Sequence, residues 1–312
     1  MPTGKRKQNS QPPCHCRLIP WEPLQTMEGV VFVGDETACH GSANLLVCAA
    51  DMDNKLNFLR DKIRSYESVV VAFSGGVDSA VLVAVAHDVI PDKTIAVTGN
   101  SPSVPSRDLS SAKAFCQARG ISHYIIDTDE MNNEKYALNP ENRCFYCKSE
   151  LFNKLTDYAK KNGFKFVLEG TNASEMMGHR PGHEAACNNE MVRTPYVDLG
   201  ITKDDIRAIA RELKLEVAER PATACLSSRF PTGSRIDADT LKNIDAAENF
   251  ILGLGIRQVR LRHHGDIARI EIDPDDFQLL SGKRDFVVKT IQALGWRHVT
   301  IDLGGYRTGE GR

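Results

Sequence analysis

The segment SVVVAFSGGVDS, residues 68–79, decides the fold. Its first half is a run of apolar and β-branched residues, which is typical of a strand buried on both faces. Its second half is a glycine-containing turn that leads into the apolar helical pattern of residues 80–90. Because the N–H groups at the start of such a helix point toward the turn, this arrangement predicts an anion-binding loop.

The turn has the composition that a phosphate-binding loop needs. Gly75 and Gly76 let backbone N–H groups approach an anion, and the hydroxyls of Ser74 and Ser79 add donors. Asp78 is unsuited to touching phosphate and is predicted to hold the Mg²⁺ that bridges the phosphates of ATP. No lysine follows the glycines, so this is not a Walker A loop. An incidental tight turn is the alternative, and the position after the first apolar strand argues against it.

Outward from this segment, apolar runs continue to alternate with helical patterns. Further strands are predicted at TIAVTGN (94–100), SHYIIDT (122–128) and KFVLEGTN (165–172), and helices at about residues 106–120, 145–162 and 202–215. Thr202 and Asp205 form a capping box at the start of the last of these helices. Strands that are apolar throughout and alternate with helices indicate a parallel sheet covered on both faces. The predicted fold is therefore a Rossmann-like α/β domain.

A second, smaller α+β unit is predicted at the C-terminal end. It reads as a helix, two strands joined by a turn at Gly265-Asp266, a helical segment and a last strand; these cover residues 237–255, 258–264, 268–272, 275–295 and 298–303. Between the two units, the proline-containing stretch 219–236 reads as a linker. The predicted domains are thus residues 52–218, the linker 219–236, and residues 237–312.

The N-terminal 51 residues differ from the rest of the chain. The stretch KRKQNSQPPCHCRLIPWEP (5–23) is polar, contains prolines and has no period, whereas helical spacing at Leu56, Leu59 and Ile63 begins after Met52. Residues 1–51 are therefore predicted to be a poorly ordered extension, with Met52 as the functional start.

Composition excludes several classes of protein. The net charge of −2 gives no basic field for nucleic acid, and no apolar run is long enough for a membrane span or a signal sequence. We therefore expect a cytoplasmic protein that binds neither nucleic acid nor membrane. Nine cysteines without a secretion signal are expected to be reduced thiols, metal ligands or sulfur carriers.

The phosphate loop resembles that of the PP-loop ATP pyrophosphatases, whose fold is the adenine nucleotide alpha hydrolase type. More closely, the chain resembles the LarE family of ATP-dependent sacrificial sulfur transferases. The resemblance covers roughly residues 53–308 and rests on SGGVDS, NRCFYCKSELF (142–152), EGTN (169–172), GHRPG (178–182), ACLSSRFPTG (224–233), VRLRHHGDIARIEI (259–272) and IDLGGYRTG (301–309). It implies that residues 52–218 are a PP-loop ATP pyrophosphatase domain.

Three cysteines are candidates for the sulfur chemistry. Cys144 and Cys147 share one face of a predicted helix, and Cys225 follows in the linker. Such a set suits a [4Fe-4S] cluster with one open iron, a zinc site completed by His179, His183 or Cys187, or unrelated thiols of which one is active; these alternatives stay open from the residues alone. The resemblance favours the cluster type, with Cys225 as the catalytic residue. Other family members have only the cysteine that matches Cys225, and it gives up its own sulfur.

The second half of the chain carries candidate substrate ligands. Arg260 and Arg262 alternate along one predicted strand, so their guanidinium groups share a face that suits a phosphate. The resemblance adds to this site Arg180, Ser228 and Arg229, together with an acidic metal site of Glu248, Glu271 and Asp276. Solvated surface charges are the alternative for all of them.

The resemblance implies an activity as well. A carboxylate of a pyridinium-3,5-dicarboxylate mononucleotide would be adenylylated with ATP and Mg²⁺ and converted to a thiocarboxylate, in the synthesis of a nickel-pincer nucleotide cofactor. The expected partners are this small-molecule nucleotide, further copies of the chain in a homo-oligomer, and the nickel-inserting enzyme of the same pathway. The alternatives are a PP-loop tRNA thiolase, and an amide-forming or non-catalytic ATP-binding protein.

Overall fold

The computed structural model describes residues 43–177, 181–221 and 223–307, and of residues 43–53 only the backbone. Residues 1–42 of the predicted extension, and Arg180 of the predicted substrate site, lie outside the described residues. From Asn44 onward the chain groups into one compact unit that contains two sheets. Within the described part, no helix combines the length and the apolar character needed to cross a membrane.

The first sheet has five parallel strands. They are β1 (Val69–Ala72), β2 (Thr94–Asn100), β3 (His123–Asp127), β4 (Phe166–Leu168) and β5 (Val192–Arg193), in the order β3-β2-β1-β4-β5. The predicted parallel α/β sheet is confirmed. The sequence did not predict β5, because two residues are too few to show a pattern.

Eleven α-helices lie in the described residues. They are α1 (Ala43–Arg64), α2 (Val77–Val89), α3 (Ser106–Ala118), α4 (Glu134–Ala137), α5 (Arg143–Asn162), α6 (Pro181–Cys187), α7 (Pro195–Asp198), α8 (Lys203–Glu212), α9 (Ala238–Gly253), α10 (Phe277–Ser281) and α11 (Arg284–Ala293). The capping box of α8 is present: Asp205 N donates to Thr202 Oγ1 at 3.3 Å and Thr202 N donates to Asp205 Oδ2 at 2.8 Å.

The start of α1 differs from the prediction. The helix begins at Ala43 and runs through Met52, so that methionine is not a helix boundary. Leu56, Leu59 and Ile63 are buried, as their spacing predicts. Residues 45–50, LLVCAA, are apolar throughout and show no amphipathic period, which is why the first turns of α1 were missed.

Alternate residues of β1 serve two different cores. Val69 and Val71 pack in one cluster with α2 and α8, while Val70 packs on the opposite face with residues of α5. All three side chains are fully buried. This explains the uninterrupted apolar run of the strand: a parallel sheet covered by helices on both faces has no solvent-facing side.

The second sheet consists of β6 (Val259–His264), β7 (Ile267–Ile272) and β8 (His298–Ile301), in the order β6-β7-β8. The first pair is antiparallel and is joined at Gly265, whose φ of +61° suits the turn; the second pair is parallel. The helical segment predicted over residues 275–295 is split into α10 and α11 around Gly282-Lys283. The second core also includes Leu226, Phe230 and Ile236, so the predicted linker is packed into it.

Candidate active site

Serine hydroxyls close the phosphate loop. The Oγ atoms of Ser74 and Ser79 lie 3.1 Å apart, and Ser79 Oγ donates to the carbonyl of Gly76 at 3.1 Å. Gly75 has a φ of +77°, and a Cβ there would lie 3.4 Å from the carbonyl oxygen of Asp108. Gly75 is therefore favoured by its left-handed backbone conformation, and the loop leads directly into α2 with Gly76, whose φ is an ordinary −76°, as its N-cap.

A third glycine supports the loop from the next strand. A Cβ on Gly170, which follows β4, would lie 3.3 Å from Ser79 N. The end of β4 therefore packs directly against the first turn of α2. Gly170 belongs to the EGTN motif, but the sequence does not show why this position must be glycine. The reason is a close approach between two segments that are distant along the chain.

Asp78 is held by three neighbours. Its carboxylate accepts a hydrogen bond from Asn172 Nδ2 at 3.1 Å and forms an ion pair with Lys203 Nζ. Its carbonyl accepts from the buried hydroxyl of Tyr196 at 2.9 Å. The predicted magnesium ligand is thus paired with a lysine that the sequence interpretation missed. The capping box that places Lys203 in the first turn of α8 was the available signal.

A cavity of about 460 Å³ joins the phosphate loop to two of the cysteines. Its wall includes Asp78, Lys148 and Glu169, and also Cys147 and Cys225. The structure therefore places the predicted ATP site and the predicted sulfur donor around one space, although about 150 residues separate them in sequence. Such a concave site at the carboxyl ends of parallel strands is where α/β proteins bind nucleotides.

A partly buried ion pair that the sequence did not reveal lies in this wall. Lys148 Nζ is 3.1 Å from Glu169 Oε1, and Glu169 Oε2 accepts a hydrogen bond from Thr171 N at 2.8 Å. Burial acts to lower the pKa of Lys148, but the carboxylate of Glu169 outweighs it and the pKa is raised. The pKa of Glu169 is lowered, since Lys148 and the donors of Thr171 outweigh burial. Both groups are therefore charged at neutral pH.

Arg143 connects the cysteine-bearing segments. It begins α5, directly before Cys144, and its Nη2 lies 3.8 Å from Cys225 Sγ. Its Nη1 donates to Asn139 Oδ1 at 2.6 Å and to the carbonyl of Ser227 at 2.9 Å. The guanidinium group is thus fixed on one side and faces the sulfur of Cys225 with the other.

The cysteines and the charged residues beside them shift each other's pKa values. Burial acts to lower the pKa of Arg143, but the cysteines, Cys225 first, outweigh it and the pKa is raised. Burial raises the pKa of the Cys147 thiol well above its usual range, and the carboxylate of Glu130 raises it further. Cys147 is therefore a neutral thiol at neutral pH.

These cysteines do not fit the metal centre that we expected. Among the residues that the structure describes, no group of three or more cysteine, histidine or acidic side chains could hold a metal ion. A cysteine that binds metal must lose its proton, and burial works against this at Cys147. The expected [4Fe-4S] cluster of Cys144, Cys147 and Cys225 is therefore not supported. Of the alternative zinc ligands, His183 and Cys187 contact each other at 3.4 Å, and His179 lies outside the described residues.

Arg229 and Glu248 are bound to each other. Two contacts join them, Nε to Oε1 at 2.8 Å and Nη2 to Oε2 at 3.0 Å, and both side chains are almost fully buried. Arg229 Nη1 also donates to Ala224 O at 3.0 Å, and Glu248 accepts from Leu261 N at 3.0 Å. The pair therefore fastens the Cys225 segment to α9 and β6.

Arg262 is also paired, whereas Arg260 is more available. Arg262 donates to Glu271 Oε1 at 3.0 Å and to the carbonyl of Ser228 at 2.7 Å. Arg260 stacks on the ring of Tyr306 at 4.4 Å, donates from Nη1 to the carbonyl of Arg307 at 3.1 Å and, among the described residues, forms no ion pair. Burial lowers the pKa of its guanidinium group, and the neighbouring arginines add to this. A phosphate bound beside Arg260 would offset this destabilisation of its positive charge.

The predicted acidic metal site is not assembled. Glu248 and Glu271 are engaged by arginines, and no metal-holding group includes them within the described part of the chain. Asp276 lies apart from such a group, although its Oδ2 is buried without a hydrogen-bond partner.

Comparisons with known proteins agree with this geometry. A family model described as NAD synthase matches residues 52–176. An uncharacterised protein of Synechocystis sp. is 38% identical over 261 residues, which cover 83% of this chain and 97% of that protein. The pyridinium-3,5-bisthiocarboxylic acid mononucleotide synthase of Lactiplantibacillus plantarum is 33% identical over 251 residues, 79% of this chain and 90% of that enzyme. The tRNA-specific 2-thiouridylase MnmA of Rickettsia africae is 27% identical over 49% of this chain and 52% of that enzyme.

The sheet, the phosphate loop and these similarities define an ATP-using, sulfur-transferring enzyme of the PP-loop class. Within that class, the chain belongs to the LarE family, the family of the Lactiplantibacillus plantarum synthase. The likeness to the tRNA thiolases is distant and covers only about half of each chain.

Proposed function

We propose that this enzyme activates a carboxylate of a pyridinium-3,5-dicarboxylate mononucleotide with ATP and replaces one of its oxygens with the sulfur of Cys225. The observation that carries the proposal is the single cavity lined by both the phosphate loop and Cys225. The activity named for the relative from Lactiplantibacillus plantarum supports the choice of substrate, because a bisthiocarboxylic acid mononucleotide is the product of sulfur transfer to such a dicarboxylate.

The first step is adenylylation. A carboxylate oxygen of the substrate attacks the α-phosphorus of ATP, the bond to the β-phosphate breaks, and pyrophosphate leaves. The backbone N–H groups around Gly75 and Gly76, with the start of α2, would bind the leaving pyrophosphate. Asp78 would hold Mg²⁺ when Lys203 turns to a phosphate, since both side chains line the cavity. Magnesium would neutralise the phosphate charge.

The second step is sulfur transfer. The thiolate of Cys225 attacks the acyl carbon, AMP leaves, and a thioester joins substrate and protein. Loss of the Cα proton of Cys225 with cleavage of its Cβ–S bond then gives a thiocarboxylate and leaves dehydroalanine at position 225. Arg143 Nη2 lies 3.8 Å from this sulfur, at the place where the reaction begins. We choose this route because no metal-holding group includes the three cysteines among the described residues.

The substrate phosphate is assigned to the second sheet. Arg260 offers a guanidinium group without an ion pair in the described structure, and Arg262 and Ser228 lie beside it. Arg229, Glu248 and Glu271 then act by holding this region together. We further propose a cytoplasmic homo-oligomer that passes its product to a nickel-inserting enzyme and binds no nucleic acid.

The test incubates the purified enzyme with the dicarboxylate mononucleotide, ATP and Mg²⁺. We expect equal amounts of pyrophosphate and AMP, a product in which sulfur replaces oxygen, and a chain that has lost the elements of hydrogen sulfide at Cys225 by mass spectrometry. A Cys225→Ala variant should form the adenylate and release pyrophosphate without thiocarboxylate. Release of ADP would refute the adenylylation step. Iron-containing protein that turns over many times without mass loss would refute Cys225 as the donor.

A further inference from the structure

Arg220 connects the segment that carries Cys225 to the phosphate loop. Its Nη1 lies 3.5 Å from the carbonyl oxygen of Gly75, and its Nη2 donates to Asp108 Oδ1 at 2.7 Å. Cys225 is only five residues further along the chain. Both residues line the same cavity.

The position of Arg220 is fixed from two sides. Arg207, on α8, donates from its Nη2 to the carbonyl of Arg220 at 3.3 Å and so holds the backbone. Asp108, on α3, is largely buried and holds the side chain. Asp108 itself packs against the loop, since a Cβ on Gly75 would be 3.4 Å from its carbonyl oxygen. The guanidinium group is therefore placed at the phosphate loop by rigid neighbours.

The chemistry of the loop calls for such a group. The SGGVDS sequence contains no cation, whereas the pyrophosphate leaving group carries several negative charges. The Arg220 side chain is 26% exposed, and its two bonds use only two of its five N–H donors. A planar guanidinium group can bind a phosphate through two parallel hydrogen bonds while keeping its contact with Asp108.

We propose that Arg220 binds the pyrophosphate part of ATP and thereby couples occupation of the phosphate loop to the position of Cys225. This inference rests on the proposed function, because Arg220 would act in the adenylylation step and Cys225, close to it in the chain, in the sulfur-transfer step. When pyrophosphate is present, Arg220 is drawn toward it, and Cys225, five residues further on, is held at the cavity wall. When pyrophosphate has left, this restraint on the sulfur is released.

The test uses Mg²⁺-pyrophosphate alone, with no dicarboxylate substrate. Calorimetry should show an affinity for pyrophosphate on the order of tenfold lower in Arg220→Met, the loss expected for a hydrogen bond between charged groups. Alkylation of Cys225 by iodoacetamide, followed by peptide mass spectrometry, should slow about threefold or more in the native enzyme at saturating pyrophosphate. In Arg220→Met, also at saturation, pyrophosphate should not change this rate. Cys116 is the unreactive reference, because burial raises its pKa to about 12.

Matched variants separate this role from a structural one. Arg211→Met removes an exposed arginine that pairs with Glu219 at 2.6 Å, and it should behave like the native enzyme in both measurements. If Arg220→Met does not fold because Asp108 is left unpaired, Arg220→Met/Asp108→Asn removes both charges and carries the same expectation. Unchanged pyrophosphate affinity, or equal protection of Cys225 in the variant, overturns the coupling. Absence of thiocarboxylate with the coupling intact refutes only the proposed function.

Discussion

Arg229 and Glu248 both lose their contacts with water on folding, and an ion pair between them replaces these contacts. Two N–O contacts of 2.8 and 3.0 Å join them, and both side chains are almost completely buried. Removal of Glu248 strands the buried Arg229, and removal of Arg229 leaves Glu248 to the partly exposed Arg107, 3.2 Å away, so a single removal costs more than removal of both. The pair also accounts for the position of the Cys225 segment, because Arg229 Nη1 holds the carbonyl of Ala224.

This leads to a prediction at the level of single residues. Arg229→Met should lower the free energy of unfolding by about 3 kcal/mol in urea denaturation. Arg229→Met/Glu248→Leu should lose less than the sum of the two single variants, because the stranded charge is gone. Additive losses would show that the two side chains do not support each other.

Arg260 and Arg262 lie on the same strand and provide a matched pair of variants. Arg260→Ala should weaken binding of the dicarboxylate mononucleotide on the order of tenfold and leave ATP binding intact, because a charge-assisted bond to phosphate is lost. Arg262→Ala should instead lower the melting temperature, since Arg262 is bound to Glu271 and Ser228 O. Titration calorimetry and thermal unfolding separate the two effects. Native affinity for the nucleotide in Arg260→Ala would remove it from the substrate site.

At the scale of elements, the first turns of α2 and α8 meet at the cavity. Asp78 belongs to the first and Lys203 to the second, and they form an ion pair. Asp78→Asn should abolish pyrophosphate release, because the proposed Mg²⁺ ligand is lost. Lys203→Met should weaken ATP binding severalfold while the enzyme still releases pyrophosphate slowly. Pyrophosphate release by Asp78→Asn at the native rate would be incompatible with its assignment as the metal ligand.

The helix α1 allows a test of whether the residues before Met52 contribute to folding. It begins at Ala43, but its first side chain that is known to be buried is Leu56. A shortened chain that starts at Met52 should therefore fold, with nearly the native melting temperature and ATP affinity, because the core contacts of Leu56, Leu59 and Ile63 remain. A loss of more than a few degrees would mean that residues before Met52 contribute to stability. A chain that starts at Asn44 is the control, since it keeps almost all of α1.

At the scale of the whole molecule, the order of the elements could be predicted and the pairing of charges could not. The apolar strand β1 and the glycines of the phosphate loop predict the fold, because each pattern lies within a short stretch of sequence. The ion pair of Lys148 with Glu169 joins two elements, and that of Asp78 with Lys203 joins residues 125 positions apart. No local pattern shows such partners. For the same reason, Arg229 and Glu248 were expected to bind ligands and are bound to each other.

The iron–sulfur expectation found no support, for a related reason. The spacing of Cys144 and Cys147 shows which helix face they share, but it does not show the burial that keeps Cys147 protonated. Nor does it show that Arg143, the residue before Cys144, directs its guanidinium group to Cys225. Spacing limits the possible ligands, and the local electrostatics decide among them.

The rigid surroundings of Cys225 affect the fate of the enzyme after its reaction. Leu226, Ser227 and Arg229 are buried, and Leu226 N is bonded to Ser103 O at 2.8 Å, so a chain that has given up its sulfur keeps nearly all the contacts of its donor segment. If Cys225 is the sulfur donor, as we propose, such a spent chain would stay folded and would still bind ATP and the nucleotide. Used copies would then compete with fresh ones for both ligands. A cell that makes this cofactor in quantity would have to clear them by proteolysis that recognises something other than unfolding, or dilute them by growth.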